Sequence, residues 1–102
     1  MARKYGPHRS IIQDDLKYCY LTGRTDNLQK HHIYFGPKLR KISDKYGFWV
    51  WLTGHYHNQS NEGVHGKDGH ELDMRLKRVC QRKFEETHSR DEFISIIGKN
   101  YL

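Results

Sequence analysis

The sequence predicts a single α+β domain in which a β-hairpin and a short helix pack against C-terminal helices. Two runs with strand character, residues 28–35 and 48–52, are bounded by turn residues and separated by a short segment of helical pattern. Apolar residues then recur at helical spacing through residues 68–98. Because a chain of 102 residues can bury one core but not two, we expect one domain over residues 1–102.

The two strands are predicted by their side-chain patterns. Residues 28–35 alternate between two faces, and residues 48–52 combine aromatic and β-branched side chains. Between them, Leu39 and Ile42 give a short helix its apolar side, and Gly47 can end that helix in a left-handed conformation. We therefore expect a hairpin whose connection contains a helix.

Three helices are predicted after the hairpin. Residues 55–63 favour about two helical turns that end at a glycine. Asp68 and Glu71 have the spacing of a capping box, which predicts the start of a long helix, and Ser89 and Glu92 repeat that spacing before a short final helix. The apolar side of the long helix consists of Leu72, Leu76, Val79, Cys80 and Phe84.

The charge of the chain favours a polyanionic partner, and nucleic acid is the first candidate. There are 18 Lys and Arg against 12 Asp and Glu, which gives a formal charge of +6. A protein that is merely soluble and basic is the alternative. The basic cluster predicted to contact DNA lies between the two strands and consists of Lys38, Arg40, Lys41 and Lys45. The basic N-terminal residues before residue 10 could also lie against phosphates or form an ordinary flexible terminus.

The cysteine content and the hydropathy pattern favour the cytosol. Cys19 and Cys80 are far apart and form no disulfide framework, and Cys80 falls on an apolar helix side where a buried thiol is expected. No run is apolar and long enough to span a membrane, and the first residues lack the apolar segment of a secretory signal. We expect a cytoplasmic protein with no membrane partner.

Histidines are concentrated around the predicted hairpin. Five of the eight histidines lie between residues 31 and 65, namely His31, His32, His55, His57 and His65. Imidazole can hold a divalent metal ion and can also take a proton near neutral pH. This concentration therefore indicates metal-assisted chemistry.

The order strand, connection, strand, helix, with these histidines, resembles a known nuclease family. The segments that carry the resemblance are Lys30-His31-His32-Ile33, Trp51-Leu52-Thr53-Gly54-His55-Tyr56-His57-Asn58 and Gly63-Val64-His65-Gly66. They resemble the HNH, or ββα-metal (His-Me finger), endonucleases, and in particular the small HNH proteins of phages. The resemblance covers about residues 19–66, and the C-terminal helical part covers about residues 68–98.

The resemblance implies a role for each residue that matches the family pattern. His31 and His57 would bind one divalent ion, which could be Mg²⁺, Mn²⁺, Zn²⁺ or Ni²⁺, and His32 would be the general base. His65 would be the third ligand. Asn61 is the alternative third ligand, because it stands four residues after His57 on the predicted helix.

Two features of the family pattern have no direct counterpart here. The family often has an asparagine near the start of the second strand that orients the base, but Tyr46-Gly47-Phe48 occupies that region. A backbone carbonyl or another polar group must then orient His32, and Asn58 is the candidate orienting residue. A four-cysteine structural zinc site is excluded because the chain has two cysteines.

The sequence therefore predicts a metal-dependent DNA endonuclease or nickase, with double-stranded DNA as the favoured substrate. By analogy with small phage proteins, it would work in the phage or bacterial host cytosol, with a recombination or packaging protein as a possible partner. The alternative is a non-catalytic nucleic-acid-binding domain in which His31, His57 and His65 hold a structural zinc. A nuclease toxin with a partner inhibitor is a third hypothesis.

Overall fold

The predicted α+β class is confirmed by the structure, a computed structural model that describes residues 9–102. The basic residues Arg3, Lys4 and His8 lie outside the described residues. Residues 9–102 contain two strands, which form one sheet, and four helices, the first of which lies between the two strands in the chain. Their bounds are β1 Leu28–His32, α1 Leu39–Tyr46, β2 Trp49–Thr53, α2 Gly54–His57, α3 His70–Phe84 and α4 Arg90–Ile97.

The two strands form the antiparallel hairpin that the sequence predicts. The register pairs His31 with Val50 and His32 with Trp49. Because successive side chains of a strand point to opposite faces, the two adjacent histidines leave β1 on opposite sides of the sheet. His31 is fully buried on the same face as Val50 and Leu52. The hairpin thus separates the environments of His31 and His32.

The first strand is shorter than the predicted run of residues 28–35. Tyr34 forms its backbone hydrogen bonds with the side chain of Ser43 in α1, whose hydroxyl accepts from the Tyr34 amide (3.2 Å) and donates to the Tyr34 carbonyl (2.6 Å). These bonds take Tyr34 out of the strand ladder. They also fix α1 against the end of β1.

Helix α1 ends where the sequence predicts. Gly47 has a left-handed φ of 79°, and its amide donates to the carbonyl of Ser43. A Cβ at Gly47 would lie 2.0 Å from the backbone oxygen of Arg9, so the site requires glycine for space as well as for φ. The chain then continues directly into β2.

The prediction of two helical turns over residues 55–63 is wrong, because α2 is a single turn. The chain leaves the helix at Asn58 and folds back along α2. Val64 donates its amide to the carbonyl of Tyr56 (2.9 Å), and His65 donates to that of His57 (3.0 Å). A Cβ at Gly63 would lie 2.7 Å from the carbonyl oxygen of His57, so glycine at this position permits the close approach. The returning loop therefore brings His65 beside His57.

The C-terminal helices close the core. The predicted capping box of Asp68 and Glu71 is wrong, because α3 starts after Gly69 and the Asp68 amide donates to the Asn61 carbonyl instead. The capping box of Ser89 and Glu92 at the start of α4 is confirmed. The core contains the side chains of Ile33, Tyr34, Phe48, Val50, Leu52, Leu76, Cys80, Phe84, Phe93 and Ile97.

Two further expectations concern the cysteines and the membrane. Cys19 and Cys80 are both buried and unpaired, as expected for Cys80 from its place on the apolar side of α3. Among the helices of residues 9–102, none has the length and apolar character needed to cross a bilayer.

Candidate metal centre and adjoining cleft

Three histidines from different parts of the fold converge on one point. His31 comes from β1, His57 from the end of α2 and His65 from the loop that folds back along α2. Each offers one ring nitrogen, and these nitrogens all lie within 4.8 Å of one another. The ring centroids are 4.9 to 5.3 Å apart. The three residues are close enough to hold a metal ion.

His31 has the features expected of a metal ligand rather than of an ordinary core residue. Its ring is completely buried, and neither Nδ1 nor Nε2 has a hydrogen-bond partner among residues 9–102. Burial, together with the nearby rings of His57 and His65, lowers the pKa of His31 to about 2, so the ring is neutral. Leaving a buried polar nitrogen unpaired costs about 1–3 kcal/mol. A cation at the cluster would give one of these nitrogens a partner.

His57 is oriented by Gln29, a residue that sequence reasoning missed. The His57 Nδ1 lies 2.6 Å from the Gln29 Oε1. An amide oxygen only accepts hydrogen bonds, so Nδ1 carries the proton and Nε2 is the nitrogen left for a metal. Burial and then His65 lower the pKa of His57 to about 4. Gln29 stands two residues before His31 on β1, so strand alternation would place both on one face.

His65 completes the cluster at the protein surface. It is exposed, and its ring packs edge-on against Phe35 at 4.8 Å between centroids. The Lys77 ammonium lies 4.3 Å from the centroid of the same Phe35 ring. The cluster therefore runs from a buried histidine, His31, to an exposed one, His65, and it is accessible from solvent on the His65 side.

An open cleft of about 510 Å³ lies beside the three histidines, and His32 opens onto it together with His57 and His65. The cleft is lined by Lys30, His32, Phe35, Gly36, Pro37, Arg40, His57, Asn58 and His65. His32 is outside the three-histidine cluster. Its half-buried position lowers the pKa of its ring, because desolvation outweighs the opposing effect of Asp44. His32 is thus a neutral imidazole at the edge of a cleft that the candidate ligands His57 and His65 also line.

Asp44 is the acidic neighbour of His32. The Asp44 Oδ1 lies 3.5 Å from the His32 Nε2 and also accepts a hydrogen bond from the Lys30 ammonium. The hydrogen bond from Lys30 is the main cause of the lowered pKa of Asp44. Asp44 belongs to α1, and the sequence patterns gave no indication of this contact.

The remaining candidate ligands and orienting residues occupy different positions. Asn61 lies exposed beyond the end of α2, so the helical spacing that favoured it as a ligand is absent. Asn58 lines the cleft. His55 is exposed and pairs with Glu62 at 3.2 Å, away from the cluster.

The predicted DNA contacts divide into two groups. Arg40 lines the cleft, and Lys41 lines an adjoining cavity that also contains Lys30, His32 and Asp44. Lys38 and Lys45 line neither cavity. Of the four predicted DNA contacts, Arg40 and Lys41 therefore line cavities at the candidate site.

No family model, no curated protein and no solved structure matches this chain. Function must therefore be inferred from the side chains of the cleft.

Proposed function

We propose that the protein is a metal-dependent endonuclease or nickase that hydrolyses phosphodiester bonds of double-stranded DNA. One observation carries the proposal. Three convergent imidazoles, one of them buried and unpartnered among residues 9–102, adjoin a cleft onto which a fourth, separate imidazole opens. A structural metal site needs no additional imidazole at its edge, whereas hydrolysis needs a base there.

His31, His57 and His65 would hold the metal ion. A divalent ion at this position would act as a Lewis acid toward the phosphate and the leaving oxygen. Three nitrogen ligands favour Zn²⁺, Ni²⁺ or another transition metal over Mg²⁺, which prefers oxygen ligands. Gln29 would keep the His57 Nε2 available as the ligand atom.

His32 would be the general base. Its lowered pKa keeps the ring neutral at pH 7, so it can accept a proton. It would remove a proton from a water molecule in the cleft while the water oxygen bonds to phosphorus. The bond from phosphorus to the 3′ oxygen breaks, and its electron pair leaves with that oxygen, which is protonated by solvent. The products would carry a 5′ phosphate and a 3′ hydroxyl.

The charge around the cleft supports an anionic substrate. Arg40 and Lys41 are exposed, Arg40 lines both adjoining cavities and Lys41 lines one of them, so both can contact phosphates near the reacting one. The net charge of +6 would add attraction at longer range. Binding to DNA should therefore weaken as salt increases.

Cleavage of supercoiled plasmid in the presence of Mn²⁺, Ni²⁺, Zn²⁺ or Mg²⁺ tests the proposal. We expect nicked or linear product with at least one transition metal. His32→Ala should lose cleavage but retain metal affinity, while His57→Ala should lose both. His55→Ala is the matched control, since its ring pairs with Glu62 outside the cleft, and it should retain both.

Two results would contradict the proposal. Unchanged cleavage by the His32→Ala protein would remove His32 as the base. Tight zinc binding with no cleavage under any metal, and unfolding when a chelator is added, would instead favour the non-catalytic domain with a structural zinc.

A further inference from the structure

Asp44 is the acidic side chain in contact with the imidazole that we propose as the base. Its Oδ1 lies 3.5 Å from the His32 Nε2, and the same oxygen accepts a hydrogen bond from Lys30. The His32 side chain is only 16% exposed, which limits its choice of other partners. One carboxylate oxygen therefore contacts an ammonium and an imidazole that both line the cleft.

The backbone positions that carry these three side chains are fixed by strand pairing and by hydrogen bonds, while the Asp44 side chain itself is 55% exposed. Lys30 and His32 are two residues apart on β1, so they project from the same face. The Lys30 ammonium also lies 4.4 Å from the ring centroid of Trp49 on the paired strand. Asp44 follows Ser43, whose buried hydroxyl makes both hydrogen bonds to Tyr34. These bonds fix the backbone of α1 next to Asp44, whose carboxylate faces His32.

We propose that Asp44 is the positioning residue for His32, an inference that rests on the proposed nuclease function. The Asp44 carboxylate accepts a hydrogen bond from the His32 Nε2–H and so selects the tautomer in which Nδ1 is unprotonated. Nδ1 is then the atom that takes the proton from water. Lys30 donates to the same carboxylate oxygen and limits the rotation of the carboxylate.

The chemistry of imidazole explains why this contact matters. A neutral ring donates from one nitrogen and accepts at the other, so a carboxylate facing Nε2 determines which nitrogen can act as a base. After Nδ1 takes the proton, the ring carries a positive charge that the adjacent carboxylate stabilises. The distance of 3.5 Å from Nε2 to Oδ1 is at the long end of the hydrogen-bond range, and catalytic hydrogen bonds often shorten in the substrate complex.

Long-range ¹H–¹⁵N NMR of the Zn²⁺-loaded, full-length protein tests the tautomer directly and needs no cleavage. Spectra are recorded at about pH 8, more than one unit above the ordinary pKa of imidazole, so that His32 is neutral. We expect the Nε2–H form in the unsubstituted protein and a mixture of tautomers in Asp44→Ala. Asp26→Ala is the matched control, since Asp26 pairs with Arg24 on the exposed surface and its loss changes the net charge equally.

Single-turnover cleavage by the same variants tests whether the contact between Asp44 and His32 affects the rate of cleavage. We expect Asp44→Ala to slow cleavage roughly 10- to 100-fold at saturating enzyme, with unchanged zinc affinity and unchanged unfolding midpoint. Asp44→Glu keeps a carboxylate and should restore part of the rate. Asp26→Ala should cleave at the original rate.

The outcomes separate this inference from the proposed function. If Asp44→Ala leaves the His32 tautomer and the cleavage rate unchanged in an active enzyme, the Asp44 assignment is overturned and the nuclease function stands. If the unsubstituted protein cleaves no DNA with any metal, the proposed nuclease function is refuted, and the proposed role of Asp44 in catalysis is refuted as well. A shift in tautomer together with slower cleavage that Asp44→Glu restores would support the inference.

Discussion

Replacing Gln29 with leucine should weaken metal binding, although Gln29 itself is not expected to touch the metal. The Gln29 Oε1 lies 2.6 Å from the His57 Nδ1 and is the acceptor that fixes which nitrogen of His57 is free. Without that acceptor, the ring can rotate or adopt the other tautomer, and either change misplaces the ligand atom. Hydrogen-bond partners of metal ligands typically contribute 10- to 100-fold to affinity.

A loss of roughly 10- to 100-fold in affinity corresponds to about 1.4–2.7 kcal/mol of binding free energy. The metal-free protein should lose less, because His57 is half-buried and water can replace the lost partner. The effect of Gln29→Leu should therefore appear mainly in metal affinity and only slightly in the unfolding midpoint of the metal-free protein.

Isothermal titration calorimetry with Zn²⁺, at several concentrations of a competing chelator, measures this effect. Gln29→Glu is the matched variant, because a carboxylate in the same place also accepts from Nδ1–H and should keep or increase the affinity. If Gln29→Leu binds Zn²⁺ as tightly as the unsubstituted protein, the orienting role of Gln29 is refuted.

Three further predictions follow from the same geometry. Gly63→Ala places a Cβ 2.7 Å from a backbone oxygen of α2, so we expect a stability loss of about 1–3 kcal/mol and weaker zinc binding as His65 shifts, both measurable by thermal melts with and without metal. The pKa of His31 is about 2 in the folded protein and 6.5 in the unfolded chain, so the unfolded chain binds more protons below about pH 6.5. Denaturation of the metal-free protein should therefore show the full free energy of unfolding above pH 6.5. Below that pH the free energy of unfolding should fall by up to about 1.4 kcal/mol per pH unit. Arg40→Ala should reduce the slope of log affinity for DNA against log salt by about 0.9, whereas Lys45→Ala should change it less, as fluorescence anisotropy can measure.

The hairpin and two of the helix ends could be predicted because local patterns determine them. The alternation in residues 28–32 and the aromatic run in residues 48–52 identify the strands, and Gly47 ends α1 with the left-handed φ expected of a C-terminal glycine. The capping box at Ser89 depends on residues within one turn of the helix. Patterns of this kind need no information from distant parts of the chain.

The loop between α2 and α3 could not be predicted in the same way. Its course depends on backbone hydrogen bonds from Val64 and His65 back to α2, and on the space that Gly63 leaves for them. No periodic pattern encodes these contacts. The predicted longer helix failed for this reason, and so did the helical argument for Asn61 as a ligand.

Only part of the candidate site could be predicted from the sequence. The grouping of His31, His57 and His65 was expected from the family resemblance, and the structure brings their nitrogens together. Gln29 could have been found from strand alternation, because it precedes His31 by two residues. Asp44 could not, since its contact with His32 depends on how α1 packs against β1.

Anomalous diffraction from crystals grown with Zn²⁺ or Ni²⁺, recorded at the absorption edge of the metal, tests whether the three histidines hold a metal ion. We expect one strong peak within bonding distance of nitrogens from His31, His57 and His65, with the His32 ring facing the cleft and not bonded to the ion. A peak coordinated by His32, or no peak among the three histidines, would contradict it.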